Sequence, residues 1–113
     1  MEDPDATSPK PFVQWLVAGI PPNATSLPAS LPKDEMVAPL GGAMQGANHT
    51  GKIGYYGPHP PPGDPAHRYH FQVFALDTVL RLPSGFNRQA LLKAMSDHVI
   101  AKGGGVGTYQ RKP

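Results

Sequence analysis

The chain has 113 residues, a net charge of +2 and no cysteine. Its length allows one domain with one core, and the lack of cysteine excludes disulfides, thiolate metal clusters and thiol catalysis. The basic residues are scattered, which excludes a nucleic-acid footprint. No apolar run approaches the roughly 20 residues of a membrane span, and the first ten residues lack the apolar region of a signal peptide. We therefore expect a cytoplasmic domain without a transmembrane segment.

The first apolar segment, residues 12–20, ends at two prolines. A short and nearly continuous apolar run predicts a central strand that is buried on both faces. Residues 21–49 are rich in Pro, Ser, Gly and Asn without a lasting period, which predicts a long ordered loop with room for one short strand. Residues 54–66 combine prolines and glycines, so we expect a rigid segment that forms the wall of a site.

The clearest strand pattern covers residues 67–77, where apolar and polar side chains alternate. Asn87 is placed to cap a helix over about residues 88–101, which carries an apolar stripe and would end at the glycines 103–105. Residues 106–111 suit one last short strand. This order of strands and helix predicts a mainly β protein with a C-terminal α-helix, folded as one domain over residues 1–113.

Four residues stand out as candidates for chemistry. Asp3 and Asp5 are separated by one proline, so their carboxylates share one side if the segment is extended, or cap nearby N–H groups if it is a turn. His67 lies where the rigid segment meets the best strand, a place from which a side chain is aimed at a pocket with little loss of entropy. A solitary histidine there is also commonly structural. Tyr69 faces the same side, whereas Arg68 faces the other and suits an ion pair.

Metal and cofactor sites find no support in the pattern. His59, fixed between prolines, is placed to line the mouth of a pocket. A site built from His59, His67 and His70 lacks helical or hairpin ligand spacing and needs ligands from opposite strand faces, so no metal is predicted. The glycine runs lack the order and the lysine of a phosphate loop. No cofactor is predicted.

Three sequence blocks occur in a distinctive order. They are Asp3-Pro-Asp-Ala6, then Gly57-Pro-His-Pro-Pro61 leading through Gly63 to His67-Arg-Tyr69, and finally Gly107-Thr-Tyr-Gln-Arg111. Between the first two lie Gln14-Trp15, Gln45-Gly-Ala-Asn48 and Gly54-Tyr55. In order and spacing, the chain resembles the bacterial and archaeal branch of the phosphatidylethanolamine-binding protein (Raf kinase inhibitor-like) family over essentially its whole length. The resemblance implies a β-sandwich.

The resemblance also implies a site for a small anionic ligand: a phosphate, a carboxylate or a phospholipid head group. One of the two aspartates would accept a hydrogen bond from His67 and favour the imidazolium, which is a good anion clamp. The ligand-binding residues that the resemblance implies are Asp3, Asp5, Gln14, Gly57, Pro58, His59, Pro60, His67 and Tyr69.

The sequence departs from the family pattern in three ways. Gln14 stands where the family has a histidine, and an amide donates hydrogen bonds but carries no charge. Thr7 replaces a proline. The strands that usually precede the Asp-Pro-Asp block are missing, so we expect an N-terminally shortened sandwich, either a genuine short variant or a fragment that starts at an internal methionine. Its open edge predicts a homodimer.

A hydrolase of the esterase or glycosidase type is the alternative, with Asp3 or Asp5 and His67 as acid and base. Glycoside cleavage uses carboxylates about 5–10 Å apart across the substrate, whereas aspartates two residues apart on one strand would lie side by side. No Gly-X-Ser-X-Gly elbow occurs. The pattern favours a binding module and leaves catalysis open.

Overall fold

The computed structural model describes residues 1–7, 12–38 and 41–112. The described elements are β1 (Glu2–Asp3), β2 (Phe12–Val13), β3 (Val17–Ala18), β4 (Met36–Val37), β5 (Ala43–Gln45), β6 (His67–Leu76), α1 (Arg88–Met95) and β7 (Val99–Tyr109). They form one sheet in the order β2-β1-β6-β7 and a second in the order β3-β5-β4. The predicted mainly β class is confirmed. As the sequence predicts, the helix is followed by one last strand.

The longest strands, β6 and β7, form the frame that carries the site. They pair antiparallel from His67 opposite Tyr109 to Leu76 opposite Val99. Three consecutive glycines lie in this pairing, and a β-carbon on Gly104 would collide with the main chain of β6, so the close approach of the two strands requires glycine there. On the other side of β6, β1 pairs antiparallel with Glu2 opposite His70. This pairing brings Asp3 to the beginning of β6.

Residues 12–20 do not form the single central strand that the apolar run predicts. Phe12–Val13 pairs with β1 in the first sheet, and Val17–Ala18 pairs with β5 in the second. Between them the Leu16 carbonyl accepts a hydrogen bond from the Gly46 amide, which satisfies this carbonyl where the segment crosses from one sheet to the other. The apolar side chains still form the core, because Val13 and Leu16 pack with Phe86.

The helix is shorter than the predicted span of about 88–101. Its beginning is as predicted, since Oδ1 of Asn87 accepts a hydrogen bond from the Ala90 amide at 2.9 Å. It ends at Met95 because Ser96 leaves helical geometry and Asp97 adopts a positive φ of 66°. The following residues form β7, which begins earlier than the predicted last strand. Pairing with β6 satisfies their backbone along almost its whole length.

The long loop between β3 and β6 contains β4 and β5 and is fixed by one buried glutamine. Gln45 is 1% exposed, and its Nε2 atom donates to the carbonyls of Pro32 and Asp34, each at 2.8 Å. Its Oε1 atom accepts from Nε1 of Trp15 at 2.7 Å. The predicted order of this loop thus has a structural cause. No helix in the described part of the chain is long and apolar enough to cross a membrane.

Candidate functional site

A cavity of about 170 Å³ opens beside the first residues of β6. Its volume is well below the roughly 300–1,000 Å³ of pockets for drug-sized ligands, so it suits a small ion or one end of a larger molecule. The cavity is lined by Asp3, Ala6, Thr7, Phe12, Gln14, Tyr56, His59, Pro60, Pro61, His67 and Tyr69. Three of the residues that the sequence suggested, Asp5, Gly57 and Pro58, are not part of this lining.

Asp3 and His67 form a buried pair at the back of the cavity. Nδ1 of His67 lies 2.7 Å from Oδ2 of Asp3, and the two side chains are only 6% and 5% exposed. The hydrogen bond with Asp3 raises the pKa of His67; burial opposes this rise, and a hydrogen bond with Asp64 adds to it. The pair therefore favours the imidazolium over the neutral ring.

The Asp-Pro-Asp segment is a turn, in which the two carboxylates have separate partners. Oδ1 of Asp3 accepts from the Asp5 amide at 2.9 Å, so Asp3 holds the turn with one oxygen and His67 with the other. The Asp5 carboxylate instead binds the Arg68 guanidinium and amide, at 2.8 Å in each case. These hydrogen bonds with Arg68 hold the pKa of Asp5 well below its ordinary range.

The hydrolase alternative gains no support from this arrangement. Acid and base catalysis by paired carboxylates needs both groups beside the substrate. Only Asp3 lines the cavity, whereas Asp5 is paired with Arg68 outside the lining. The two carboxylates therefore do not share the one side that an extended segment would have given them.

Gln14 braces the loop that closes the cavity. The residue is 2% exposed, and its Nε2 atom donates to the carbonyls of Tyr56 and Gly57 at 2.5 and 3.0 Å. Both amide hydrogens are thereby used on the main chain. Gln14 lines the cavity with its amide hydrogens bound to the loop, and its direct role in ligand binding stays a prediction.

Tyr69 is a buried donor beside the His67–Asp3 pair. It is 2% exposed, and its hydroxyl has no hydrogen-bond partner within the described ranges. Burial raises the pKa of Tyr69 to about 12, and the Asp3 carboxylate adds to this rise through its negative charge and through a weak contact with the hydroxyl that falls outside hydrogen-bond geometry, so the phenol keeps its proton. A buried donor without a partner is costly, and here it belongs to a residue that lines a cavity.

Two residues that contact the cavity lining, although they are not part of it, were not found from the sequence. Asp64 places Oδ2 3.1 Å from Nε2 of His67, and its position three residues before His67 was the available signal. Arg111 donates from Nη1 to Nε2 of His59 at 3.1 Å and to the Pro60 carbonyl at 3.4 Å. Arg111 ends the third sequence block, but no local sequence pattern indicates that its side chain contacts the loop that contains His59 and Pro60. Within residues 1–7, 12–38 and 41–112, no group of three or more potential ligands is arranged to hold a metal ion.

Comparison with known proteins identifies the family. Residues 1–110 match the family model described as phosphatidylethanolamine-binding protein. The chain belongs to this family. The resemblance seen in the sequence blocks is thereby confirmed.

Archaeal relatives share much of the sequence but are longer. The UPF0098 protein of Pyrococcus horikoshii is 46% identical over 112 residues, which cover 99% of this chain and 56% of the relative. A UPF0098 protein of Methanothermobacter thermautotrophicus is 41% identical over 110 residues, or 97% of this chain and 70% of the relative. The chain thus spans little more than half of the Pyrococcus horikoshii protein.

Two crystal structures share the fold. That of a phosphatidylethanolamine-binding protein homolog from Chlamydia trachomatis superposes with a TM-score of 0.83 at 35% identity and covers 98% of this chain and 69% of that one. That of Escherichia coli YbcL, described as a member of the mammalian family, gives a TM-score of 0.86 at 33% identity, with 98% and 68% coverage. The predicted fold class is therefore confirmed.

Proposed function

We propose that this protein binds a small oxyanion in the cavity at His67: a phosphate, a carboxylate or the phosphate of a phospholipid head group. The observation that carries the proposal is the buried His67–Asp3 pair, with Nδ1 and Oδ2 2.7 Å apart. An imidazolium held in this way presents a fixed positive charge, and charge-assisted hydrogen bonds to oxyanions are about twice as strong as neutral ones.

The surrounding groups suit the same ligand. Tyr69 supplies a protonated hydroxyl that lacks a partner within the described ranges, and a ligand oxygen would satisfy it. Arg111 adds a permanent cation beside His59 at the mouth, which favours the approach of an anion. With about 170 Å³ of space, the cavity suits the charged group, while any lipid chain attached to it would remain outside.

Family membership supports a head group as one source of the anion. The family name refers to phosphatidylethanolamine, whose head group carries a phosphate. The chain spans 56% of the Pyrococcus horikoshii relative and 62% of a second relative, from Pyrococcus abyssi.

Titration calorimetry with inorganic phosphate, acetate and glycerophosphoethanolamine tests the proposal. The substitution His67→Gln removes the charge but keeps a polar side chain, and we expect it to weaken binding about 10- to 100-fold, as for loss of a charged hydrogen bond. His98→Gln is the matched control, because His98 pairs with Asp77 at 2.7 Å on an exposed surface. Equal affinity in wild type and His67→Gln would refute the proposal. Comparison of the affinities for the three ligands shows whether the site prefers a free anion or a phospholipid head group.

We also propose that the partner of this chain is a second copy of itself. β7 is the last strand of its sheet in the described residues, and all eleven of its residues are exposed. Large apolar side chains stand along it, with Ile100 68% and Val106 56% exposed. An open edge with exposed apolar side chains favours pairing with another chain, and a two-fold dimer would pair the two edges.

A further inference from the structure

Both ring nitrogens of His67 are engaged by carboxylates, but the two carboxylates differ. Asp3 at Nδ1 lies on a strand and its side chain is 5% exposed, whereas Asp64 at Nε2 lies on the loop before β6 and its side chain is 37% exposed. Nε2 is the nitrogen left for a ligand, because Nδ1 is held by a residue of the sheet. The nitrogen left for a ligand is thus already paired with a carboxylate of the chain, from a residue that lies beside His67 but is not part of the cavity lining.

Asp64 is built so that its side chain can leave without the loop moving. The backbone amide of Asp64 donates to the Pro61 carbonyl at 3.2 Å, and its backbone carbonyl accepts from Nε2 of Gln110 at 3.0 Å. Gly63, with φ of 87°, makes the turn that precedes it. Rotation of one partly exposed side chain is fast, on the order of nanoseconds, and breaks none of these backbone contacts.

Charge makes the departure of Asp64 necessary for tight binding. Asp3 and Asp64 place two carboxylates around one imidazolium. The net charge of the three groups is therefore negative, and it repels an arriving oxyanion. An oxyanion that takes the place of Asp64 meets a neutral pair and gains the Nε2 hydrogen bond. The Asp64 carboxylate itself shows that this position accommodates an oxyanion.

We propose that Asp64 is a displaceable internal ligand of His67 and sets the affinity of the oxyanion subsite. Its carboxylate occupies Nε2 in the free protein and is expelled by the incoming anion. The inference rests on the proposed function and deepens it, since it names the residue against which every external oxyanion competes.

The test compares Asp64→Asn and Asp64→Ala with Asp77→Asn in titrations with inorganic phosphate. Asp77 is a matched control because it is also a partly exposed aspartate that pairs with a histidine, His98, at 2.7 Å, and its substitution changes the net charge equally. Removing a half-exposed ion pair releases Nε2 and also removes a repulsive charge, so phosphate affinity should rise about five- to tenfold. Asp77→Asn should leave the affinity within about twofold of wild type.

The outcomes separate the two proposals. A gain in both Asp64 variants but not in Asp77→Asn supports displacement, as does phosphate binding that only the Asp64 variants show. If wild type binds phosphate through His67 and the Asp64 variants bind with unchanged or lower affinity, the displacement idea is wrong and the proposed function stands. If neither wild type nor variants bind phosphate, acetate or glycerophosphoethanolamine, both proposals fail. A gain with glycerophosphoethanolamine alone also supports displacement and identifies the head group as the source of the anion.

Discussion

His67 and Asp3 lie 64 positions apart in the chain, yet their side chains meet at 2.7 Å in a place that solvent hardly reaches. The contact exists because β1 pairs with β6 and because the Asp-Pro-Asp turn returns toward the beginning of β6. It keeps a positive charge beside a small cavity whose lining includes Tyr69, a residue with a buried hydroxyl. The expected behaviour of the protein follows from this pair and from the groups around it.

Asp3→Asn should change the pH dependence of anion binding. The variant lacks the largest influence that raises the pKa of His67, so the ring should lose its proton at lower pH than in wild type. Acetate is a suitable probe because carboxylates stay ionised above about pH 5.5. We expect binding about five- to tenfold weaker than wild type near pH 7.5, where a neutral ring replaces a charged donor, and similar to wild type near pH 5.5.

Asp5→Asn is the control for this change, because it is the same substitution two residues away, on a carboxylate that binds Arg68 outside the cavity lining. Calorimetry should give acetate affinities within about twofold of wild type at both pH values. Equal loss in the two variants would mean that overall charge, and not the charge state of His67, controls binding.

The stability of the wild-type protein should fall as the solution becomes alkaline. The folded state holds the His67 proton more tightly than the unfolded chain, because the pKa of His67 is raised. Its contribution is complete below the unfolded-state value of about 6.5 and is lost as pH rises through the higher folded-state pKa. Urea unfolding from about pH 6 upward measures the slope. His67→Gln should flatten it, and a slope that is equal in the variant would assign the effect to another group.

Gln14→His restores the residue type that the family pattern has at this position. Gln14 lines the cavity and is 2% exposed. A histidine there adds an ionisable donor, so acetate affinity should rise by about tenfold as pH falls through about 6.5. A profile that matches wild type between about pH 5.5 and pH 8 would show that residue 14 serves only to hold the Tyr56 and Gly57 carbonyls.

The exposed edge of β7 leads to a prediction about assembly. Sedimentation equilibrium at low micromolar concentration should give twice the mass of one chain. Val106→Lys should shift the equilibrium toward the single chain, because a charged side chain on an edge strand opposes pairing. A monomer with a cooperative thermal transition would show that the β-sheets are stable with this edge unpaired.

The sequence predicted the helix start and strand β6, which depend on residues close together in the chain. Asn87 caps the helix through a contact three residues away, and alternation identified β6 almost to its ends. The prediction of one central strand over residues 12–20 is wrong, because a continuous apolar run is equally compatible with two short strands in different sheets. The local sequence predicts a helix stop at the glycines 103–105, whereas pairing with Phe71 and its neighbours on β6 makes them part of a strand.

The candidate site was predicted through family resemblance more than through spacing. The sequence blocks brought forward Asp3, His67 and Tyr69, which all line the cavity. The roles of Asp64 and Arg111 could not be predicted, since each depends on how a loop places its side chain against a ring nitrogen. Gln14 lines the cavity, but its hold on the loop has no local sequence signal, because the carbonyls it binds lie more than 40 positions away.

The most direct test of the oxyanion site is nitrogen-detected NMR of the histidine rings during titration with inorganic phosphate near pH 7, within the range where histidine is informative. His67 should show the signature of an imidazolium before ligand is added. Its Nε2 resonance should then move to saturation with the affinity that calorimetry gives, while the resonances of His98, on the exposed surface, stay in place. A His67 ring that is neutral in the free protein, or whose signals do not move while phosphate binding saturates, would contradict an oxyanion site at His67.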